Sequence, residues 1–256
     1  MLNCSYKAKI ISNKKVSRNF FILKLESPSG FKKPVPGQFI NVRVNEGTLP
    51  FFRRPFSIYR ADPFLEILYA IVGKGTEFLS HKKKGEILSI LGPLGKGFSL
   101  PAKGIRQIVF IAGGVGLGPF LIYADKLKEI KANKVLLYGA RAGDLIPPLE
   151  DFRKNGFKVC LSTEDGSKGK KGRVNVLFDN IDKEEKQSAL YTCGPKPMMK
   201  AVKDFAVHYD LPAQGSFEEI MACGIGTCLG CAVQTVAGYQ TVCEDGPVFN
   251  LSDIVF

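Results

Sequence analysis

Short runs that alternate apolar and polar residues fill the N-terminal part of the chain, residues 1–101. Examples are KAKIIS, FFILKLES, GQFINVRV, FSIYR, LEILYAIV and EILSILGPLG, and glycine or proline residues separate them. Strands of about five to seven residues with turn signals between them are typical of antiparallel β-structure. The pattern therefore predicts an antiparallel barrel or sandwich over this part of the chain.

The pattern changes at Ile105, after which strands alternate with helices. The runs QIVFIAGG, KVLLYGAR, FKVCLST and SALYTCG are predicted strands, and the runs PFLIYADKLKEI, PPLEDFRKN and KPMMKAVKDFAVHY have helical spacing. This alternation is typical of a parallel sheet with crossover helices. We expect an α/β nucleotide-binding domain over residues 102–212, whose length corresponds to one mononucleotide-binding half. The segment SKGKKG within it is an expected exposed loop.

The tail, residues 213–256, is rich in glycine and cysteine and forms a third expected unit. Cys223, Cys228 and Cys231 follow the spacing C-x4-C-x2-C, and Cys243 comes after eleven more residues. The first three match the loop of plant-type [2Fe–2S] proteins, in which the fourth ligand comes from elsewhere in the fold. A short hairpin around Ala237-Gly238 would return Cys243 to the loop.

Zinc or a structural thiol cluster is the alternative use of these four cysteines. Zinc sites usually pair two short cysteine knuckles across a longer spacer, whereas here three ligands share one loop, so the spacing favours iron–sulfur. Gly224, Gly226 and Gly230 suit a loop whose N–H groups wrap around sulfur atoms. Cys4 and Cys160 are expected to be an ordinary terminal residue and a buried strand residue.

Charge and composition narrow the possible functions. The 256 residues include 36 Lys and Arg against 24 Asp and Glu, a net charge of +12, but the basic residues are scattered. A solvated lysine-rich coat is therefore favoured over nucleic-acid binding. No apolar run approaches the roughly 18 residues of a spanning helix, and the N-terminus lacks a secretory apolar centre, so we expect no membrane association and a cytoplasmic location. Two His residues and the lack of a Walker A loop disfavour hydrolytic chemistry.

Two strand ends and one arginine pair are candidates for phosphate binding. The run AGGVGLGPF at 112–120 places a glycine turn between a strand and a helix, where N–H groups suit a pyrophosphate. The run YTCGP at 191–195 is a second such strand end. Arg53 and Arg54 stand directly before a strand, and guanidinium groups bind phosphate bidentately. Surface ion pairs explain the two arginines equally well on chemistry alone.

Taken in order, five motifs resemble those of the ferredoxin–NADP reductase superfamily. They are RPFS at 54–57, GKGT at 73–76, AGGVGLGPF at 112–120, YTCGPKPM at 191–198 and CGIGTCLGC…VCEDGPVF at 223–249. More narrowly, the chain resembles the electron-transfer subunits of type B, NAD-dependent dihydroorotate dehydrogenases over nearly its whole length. The resemblance implies an N-terminal β-barrel that binds FAD, a middle domain that binds the pyridine nucleotide, and a [2Fe–2S] tail that faces a partner subunit.

The resemblance also implies roles for individual residues. Arg54 would bind the FAD pyrophosphate, Ser57 would lie near the ring, and Gly75 and Thr76 would donate to phosphates. The implied FAD residues are Arg54, Pro55, Phe56, Ser57, Leu68, Tyr69, Ala70, Gly75 and Thr76. The implied nicotinamide nucleotide residues are Gly113, Gly114, Gly116, Gly118, Gly194 and Pro195, with Cys193 in a catalytic position where nicotinamide meets the flavin. The implied cluster ligands are Cys223, Cys228, Cys231 and Cys243.

The function implied by the resemblance is electron transfer from NADH through FAD and the cluster to an FMN-containing dihydroorotate dehydrogenase catalytic subunit, in pyrimidine biosynthesis. We expect a heterotetramer of two of each subunit, with the partner contacting Phe217, Ile225, Leu229 and Phe249. The alternatives are an NAD(P)H:ferredoxin oxidoreductase, a transhydrogenase subunit, or a regulatory protein whose cluster is a sensor. The four cysteines weigh against the transhydrogenase class, in which an aspartate replaces one ligand.

The nucleotide preference depends on the strand end after FKVCLST. Glu164 and Asp165 stand there, and acidic side chains accept a hydrogen bond from a ribose 2′-hydroxyl and repel a 2′-phosphate. The basic residues Lys168, Lys170, Lys171 and Arg173 follow in a segment expected to be mobile and solvated. We therefore expect NADH rather than NADPH. Arg141, after KVLLYGA, is expected to contact either nucleotide.

Overall fold

The computed structural model describes residues 5–47 and 49–256, so that Cys4 lies outside the described residues. The first six strands are β1 (Ser5–Lys15), β2 (Phe20–Leu25), β3 (Phe39–Arg43), β4 (Arg54–Ser57), β5 (Leu65–Ala70) and β6 (Ile87–Leu94), and helix α1 (Lys74–Ser80) precedes β6. They form one antiparallel sheet in the order β4-β3-β6-β1-β2-β5.

This sheet curls into a nearly closed barrel. A bulge between Ile10 and Ser12 lets β1 pair with β6 through its first half and with β2 through its second half, and bulges of this kind bend a strand. Just beyond β4, the backbone N–H of Tyr59 donates to the carbonyl of Glu66 on β5 over 2.8 Å, which joins the two edge strands. The predicted barrel is confirmed in preference to the sandwich.

The second sheet is parallel over most of its width. Its strands are β7 (Gln107–Gly113), β8 (Asn133–Ala140), β9 (Phe157–Thr163), β10 (Lys170–Lys171), β11 (Ser188–Cys193) and β12 (Ala213–Ser216), in the order β10-β9-β8-β7-β11-β12. The strand order reverses between β7 and β11, and open α/β sheets bind ligands at such a switch point. The expected parallel α/β architecture is confirmed.

Helices α2 (Leu121–Lys126), α3 (Glu150–Lys154) and α4 (Lys196–Tyr209) connect these strands. Helix α4 follows its sequence pattern over the full 14 residues, whereas α2 and α3 are shorter than their patterns. In the part of the chain that the structure describes, no helix has the length and apolarity to cross a bilayer. The segment SKGKKG is exposed in part as expected, but it contains strand β10, which pairs with β9.

The tail continues the second sheet. Strand β12 pairs with β11, and β15 (Val248–Asn250) pairs antiparallel with β12. Between them lie the cysteine loop and a hairpin of β13 (Ala232–Thr235) and β14 (Gly238–Thr241), which turns where the sequence predicts. Buried side chains of the tail, such as Cys231 and Val242, pack in one core with Met199 and Val202 of α4.

Candidate functional site

The glycine turn and the CGP segment meet at the switch point of the second sheet. Strands β7 and β11 end side by side, with Ala112 opposite Cys193. Gly194 has a φ of +152°, which glycine adopts readily, and a Cβ added there would lie 3.1 Å from the Gly113 nitrogen. A Cβ at Gly116 would collide with the Cys193 carbonyl. The two motifs therefore pack backbone against backbone, which only glycine permits at these positions.

Strand β4 brings the barrel to the same place. Its last residue, Ser57, lies against the glycine turn, since a Cβ added at Gly118 would be 3.2 Å from the Ser57 Cβ. At the other end of β4, Arg54 lies against Gly75, where an added Cβ would be 2.5 Å from the Arg54 Nε. Strand β4 thus links Arg54 and α1 on the barrel to the ends of β7 and β11, and we call the region along it the crevice.

The two neighbouring arginines have different partners. Arg53 Nη1 donates to the Ser89 carbonyl over 2.8 Å, and its Nη2 donates to the Ser89 Oγ over 2.9 Å, so this side chain fastens the loop before β4 to β6. Arg54 Nη1 donates to the Phe52 carbonyl over 2.6 Å. Within residues 5–47 and 49–256 neither arginine makes an ion pair. Arg54 is therefore the candidate phosphate ligand, and Arg53 has a structural role.

Leu68 and Ala70 face the core shared with the second sheet, whereas Phe56 and Tyr69 have side chains inside the barrel. Leu68 and Ala70 are buried, and the ring of Phe56 packs edge-on against Tyr69 at 5.9 Å between centroids. The Tyr69 hydroxyl donates to Asn13 Oδ1 over 2.9 Å. A flavin beside these residues would therefore contact their backbone rather than their rings. Pro55, between Arg54 and Phe56, is half-buried.

The hydroxyl of Thr76 stabilises the turn that begins α1. Its Oγ1 accepts hydrogen bonds from the backbone N–H groups of Val72 and Gly73, over 2.9 Å and 3.2 Å. The same hydroxyl donates to the Gly73 carbonyl over 3.0 Å. Because the hydroxyl is occupied in this way, a phosphate at this turn would be bound by backbone N–H groups.

Glu218 is a residue of the crevice that the sequence analysis missed. Its Oε1 lies 3.8 Å from the Cys193 Sγ. The residue is exposed to solvent, yet enough protein surrounds the carboxyl that desolvation raises its pKa. Burial also raises the pKa of the Cys193 thiol. Glu218 follows β12, whose sequence AQGS has no strand-like alternation. The signal that could have indicated Glu218 is its position two residues after β12, a third strand that ends at the same edge of the sheet.

The four tail cysteines lie around one loop with N–H groups directed at sulfur. The backbone N–H of Gly226 donates to the Cys243 Sγ over 3.1 Å, and that of Ile225 donates to the Cys223 Sγ over 3.5 Å. Burial opposes ionisation of Cys223, but donors from Ile225, Cys228 and Thr227 outweigh it and lower its pKa to about 6. Burial is the main reason that the pKa of Cys243 is raised to about 12.

The thiols are arranged as two pairs. The side chains of Cys223 and Cys228 are hydrogen-bond neighbours, and so are those of Cys231 and Cys243. Among the residues that the structure describes, no three His, Cys, Asp or Glu side chains are grouped as ligands of a single ion. Two thiol pairs suit two irons with two cysteines each, whereas a structural zinc ion needs four ligands around one centre. The arrangement therefore fits a [2Fe–2S] cluster better than zinc.

The cysteine loop is attached to the barrel. Gly224 has a φ of +71°, and a Cβ added there would collide with the side-chain amide of Asn41 on β3. A second contact joins Lys96, just after β6, to the tail: its backbone N–H donates to the Gly246 carbonyl over 2.5 Å. In the β3–β4 pair, Asn41 is opposite Pro55 of the RPFS motif. The cysteine loop therefore contacts β3, and the proposed flavin motif is on the neighbouring strand β4.

Two family models match the chain where these features lie. The iron–sulfur cluster binding domain of dihydroorotate dehydrogenase B matches residues 218–255, and the oxidoreductase NAD-binding domain matches residues 110–204. The electron transfer subunit of dihydroorotate dehydrogenase B (NAD(+)) from Desulforamulus reducens is 36% identical over 258 residues, and that from Caldanaerobacter subterraneus subsp. tengcongensis is 37% identical over 256 residues. Both alignments cover 98% of each chain. The chain belongs to this family of electron transfer subunits.

Solved structures agree with this family at the level of the fold. A structure of an NADH-dependent reduced ferredoxin-NADP oxidoreductase has a TM-score of 0.85 and 29% identity, and the match covers 97% of this chain and 89% of that one. The ferredoxin reductase of carbazole 1,9a-dioxygenase has a TM-score of 0.68 and 22% identity, with 81% and 66% covered. This chain thus has a ferredoxin-reductase fold, which together with the two family models supports FAD, NAD and a [2Fe–2S] cluster as its cofactors.

The residues expected near the adenosine ribose lie together where β8 and β9 end. The backbone N–H of Asp165 donates to the Arg141 carbonyl over 3.2 Å, so the ends of β8 and β9 meet. The Asp165 carboxylate accepts hydrogen bonds from the Ser167 N–H and hydroxyl, over 2.9 Å and 2.6 Å, which lower its pKa. Glu164 is exposed beside it.

The basic residues that follow are not equivalent. Lys170 Nζ donates to the Val176 carbonyl over 2.8 Å and lies 3.8 Å from the Asp179 carboxylate, so its charge is already engaged. Lys168, Lys171 and Arg173 are exposed. The segment is exposed as expected, but β10 pairs with β9, so part of it is a short strand rather than a loop. Glu164 and the remaining basic side chains are thus the candidates for contact with the ribose.

Two of the four residues expected at the partner interface are in the core instead. Phe217 and Phe249 are buried and pack edge to face at 5.9 Å between ring centroids, because β12 and β15 bring them together under the tail. This part of the interface prediction is wrong. Ile225 and Leu229, both in the cysteine loop, are 52% and 66% exposed, as an interface residue of the free subunit must be.

Proposed function

We propose that this chain is the electron-transfer subunit of an NAD-dependent dihydroorotate dehydrogenase, and that it connects a nicotinamide nucleotide to an FMN-containing catalytic subunit. The observation that supports this most directly is the contact of the cysteine loop with β3, beside the β4 strand that carries Arg54 and Ser57. A flavin and a cluster bound at these two places would be held by adjacent strands of one barrel. Short, fixed separation is what electron transfer between two cofactors requires.

The residues of this chain bind and orient the flavin. When bound, FAD exchanges a hydride with nicotinamide and single electrons with an iron–sulfur cluster, so it converts between two-electron and one-electron transfer. Arg54 binds the FAD pyrophosphate through its guanidinium. The backbone N–H groups of Gly75 and Thr76 bind phosphate oxygens, and Ser57 lies at the isoalloxazine end, where the barrel meets the glycine turn.

At the nucleotide end, the backbone does most of the positioning. Gly113, Gly114, Gly116 and Gly118 border the nicotinamide nucleotide, and Gly194 and Pro195 border it from the other side of the switch point. The Cys193 thiol stays neutral, since burial raises its pKa. Its buried side chain excludes water from the nicotinamide carbon that exchanges the hydride. The Glu218 carboxyl lies near the Cys193 Sγ, and desolvation raises its pKa.

The partner covers the exposed side of the cysteine loop. Leu229 takes a φ of +58°, unusual for a branched side chain, and this conformation directs an apolar group outwards beside Cys228. We place the catalytic subunit on Ile225 and Leu229, in a cytoplasmic heterotetramer of two of each subunit. Electron transfer between the two subunits is reversible. Oxidation of dihydroorotate by the partner transfers electrons to NAD⁺, and excess NADH transfers electrons to the partner.

Co-expression with a candidate dihydroorotate-oxidising flavoprotein tests this function. The two chains are expected to purify together and to reduce NAD⁺ when dihydroorotate is added, because only the pair contains both the substrate site and the nucleotide site. The measurement is NADH formation by absorbance, with FMN, FAD, iron and sulfide counted per complex. Neither chain alone should couple the two substrates.

Two leucine-to-aspartate changes test the docking surface, one within it and one elsewhere as the matched control. Leu229→Asp should weaken co-purification, since a charge buried at an interface is costly, whereas Leu100→Asp, at an exposed position before β7, should not. A chain that couples NADH to orotate without a partner would overturn the proposal. Rapid reduction of ferredoxin, with no association with the flavoprotein, would favour the NAD(P)H:ferredoxin oxidoreductase alternative.

NADH is the expected nucleotide, and Glu164 is the residue that decides it. Replacing Glu164 with Gln should lower the ratio of kcat/KM for NADH to that for NADPH by about tenfold, because a hydrogen bond to a charged group contributes about 1.5–3 kcal/mol. Asp165 is not expected to substitute, since Ser167 already occupies its carboxylate. Steady-state flavin reduction with each nucleotide at equal concentration provides the measurement.

Glu129→Gln is the matched control for this prediction. Glu129 is exposed and precedes β8, at the opposite edge of the sheet from Glu164, so the same loss of one carboxylate should leave the ratio unchanged. A wild-type preference for NADPH would show that Lys168, Lys171 and Arg173 bind the ribose end instead.

A further inference from the structure

Asn41 is a buried polar side chain with no satisfied hydrogen bond. Its accessible fraction is 0%, and within the described residues neither Nδ2 nor Oδ1 has a hydrogen-bond partner. Buried amides are normally paired, because an unpaired buried polar group costs about 1–3 kcal/mol. A comparable barrel amide, Asn13, donates to the Leu79 carbonyl over 2.8 Å and accepts from Tyr69. Asn41 is therefore an exception that calls for a partner of another kind.

The side chain of Asn41 is directed out of the barrel and at the cysteine loop. Its neighbours on β3, Ile40 and Val42, belong to the barrel core, so strand alternation places Asn41 on the opposite face. There it touches Gly224: a Cβ added to this glycine would lie 3.4 Å from the Asn41 Cγ and closer still to Nδ2. Gly224 directly follows the cluster ligand Cys223.

Asn41 also adjoins the proposed flavin site through its own strand. It is opposite Pro55 in the β3–β4 pair, and its carbonyl accepts a hydrogen bond from Arg53 Nη1 over 3.4 Å. The residue thus stands between the RPFS motif and the loop that carries the cysteines. No other unpaired buried amide occurs among the described residues.

We propose that Asn41 is a positioning residue of the cluster: its Nδ2 donates a hydrogen bond to a sulfur atom on the barrel-facing side of the [2Fe–2S] centre, and this bond raises the reduction potential. The inference rests on the proposed function only in requiring that the cluster is present. Hydrogen bonds to the sulfur atoms of iron–sulfur centres tune the potential, because they stabilise the added negative charge of the reduced state. Asn41 would thereby ease transfer of each electron across the boundary between barrel and tail.

Substitution of Asn41 by Leu tests this role in the purified full chain. Leu has the same branched skeleton and no donor, so Asn41→Leu should retain the cluster and lower its midpoint potential. At an ambient potential fixed near the wild-type midpoint, we expect the ratio of reduced to oxidised cluster to fall about tenfold, which is about 59 mV for a one-electron couple. Asn41→Asp, which has the same shape but places a carboxylate there, should lower the ratio further.

The matched control is Asn155→Leu. Asn155 is also buried, but its Nδ2 donates to Asp125 Oδ1 over 2.6 Å in the second domain, away from the tail. It should lower the melting temperature without changing the cluster potential. Redox titration followed by visible absorption and by the EPR signal of the reduced cluster gives the measurement for all three variants, independently of turnover.

The wild-type chain, labelled with ¹⁵N only at asparagine, provides a test that does not depend on folding of a variant. The loop 223–231 contains no asparagine, so a ¹⁵N coupling in pulsed EPR of the reduced cluster is expected from Asn41. No such coupling, or a fully loaded Asn41→Leu variant with unchanged potential, would overturn the inference and leave the proposed function standing. Stoichiometric zinc without sulfide in the wild-type chain would overturn both.

Discussion

Replacing Cys228 with serine is expected to abolish the [2Fe–2S] signal and electron transfer to the catalytic subunit, while reduction of the flavin by NADH continues. Cys228 pairs with Cys223 at the exposed side of the loop, and a serine hydroxyl does not supply the thiolate that an iron of this cluster requires. The residues proposed to hold FAD are on the barrel, and those proposed to hold the nucleotide are on the second sheet. Loss of one loop ligand therefore interrupts electron transfer after the flavin and not before it.

Three measurements together check this expectation. Visible absorption and EPR report the cluster, iron and sulfide analysis reports its composition, and reduction of an artificial dye by NADH reports the flavin. The matched control is Cys160→Ser: Cys160 lies on β9, where its thiol donates to Asn180 Oδ1 over 3.4 Å, and its loss should leave all three unchanged. A Cys228→Ser variant that keeps its full cluster signal would contradict the assignment of this ligand.

Replacing Arg54 with alanine is expected to yield protein that purifies largely without FAD. A hydrogen bond to a charged group contributes about 1.5–3 kcal/mol, so losing the pyrophosphate contact should weaken FAD binding by roughly 10- to 100-fold. The guanidinium lies against Gly75 and its Nη1 is held by the Phe52 carbonyl, so the wild-type side chain is already oriented before FAD binds. Such preorganisation keeps the entropic cost of binding low.

Flavin content after gel filtration and titration of the apoprotein with FAD measure this effect. Arg43→Ala is the matched control, since Arg43 is on the neighbouring strand β3 and its Nε donates to the Asn45 carbonyl over 3.2 Å, outside the crevice. The iron content of both variants should remain that of the wild type. If Arg54→Ala retained one FAD with unchanged affinity, the pyrophosphate would have to be bound from another part of the barrel.

The local features of the site could be predicted from the sequence because each depends on neighbours along the chain. A tight loop that supplies three thiolates needs cysteines at short, fixed spacing, and Cys223, Cys228 and Cys231 have it. A backbone that packs against another backbone needs glycine, and Gly116 and Gly194 stand where the structure requires them. Alternating apolar runs likewise predict strands, since successive side chains point to opposite faces.

Features that depend on contacts between distant segments could not be predicted in this way. Arg53 and Arg54 are adjacent and identical in type, but only the pairing of β3, β4 and β6 directs one guanidinium to Ser89 and the other to Gly75. Phe217 and Phe249 are apolar residues of the tail, as are Ile225 and Leu229, and their spacing does not distinguish core from surface. The addition of β12 and β15 to the second sheet buries the first two.

The sequence by itself predicted antiparallel β-structure, the parallel sheet, the four candidate cluster cysteines and the glycines at the strand ends, because these features follow from short-range periodicity and spacing. The tertiary structure alone decided which side chains meet across those elements. It brought Glu218 to Cys193 through the pairing of β11 with β12, and it brought Asn41 to Gly224 across the boundary between barrel and tail. Both contacts join segments that are far apart along the chain. No local pattern of residues predicts such a contact, because it forms only when the chain folds.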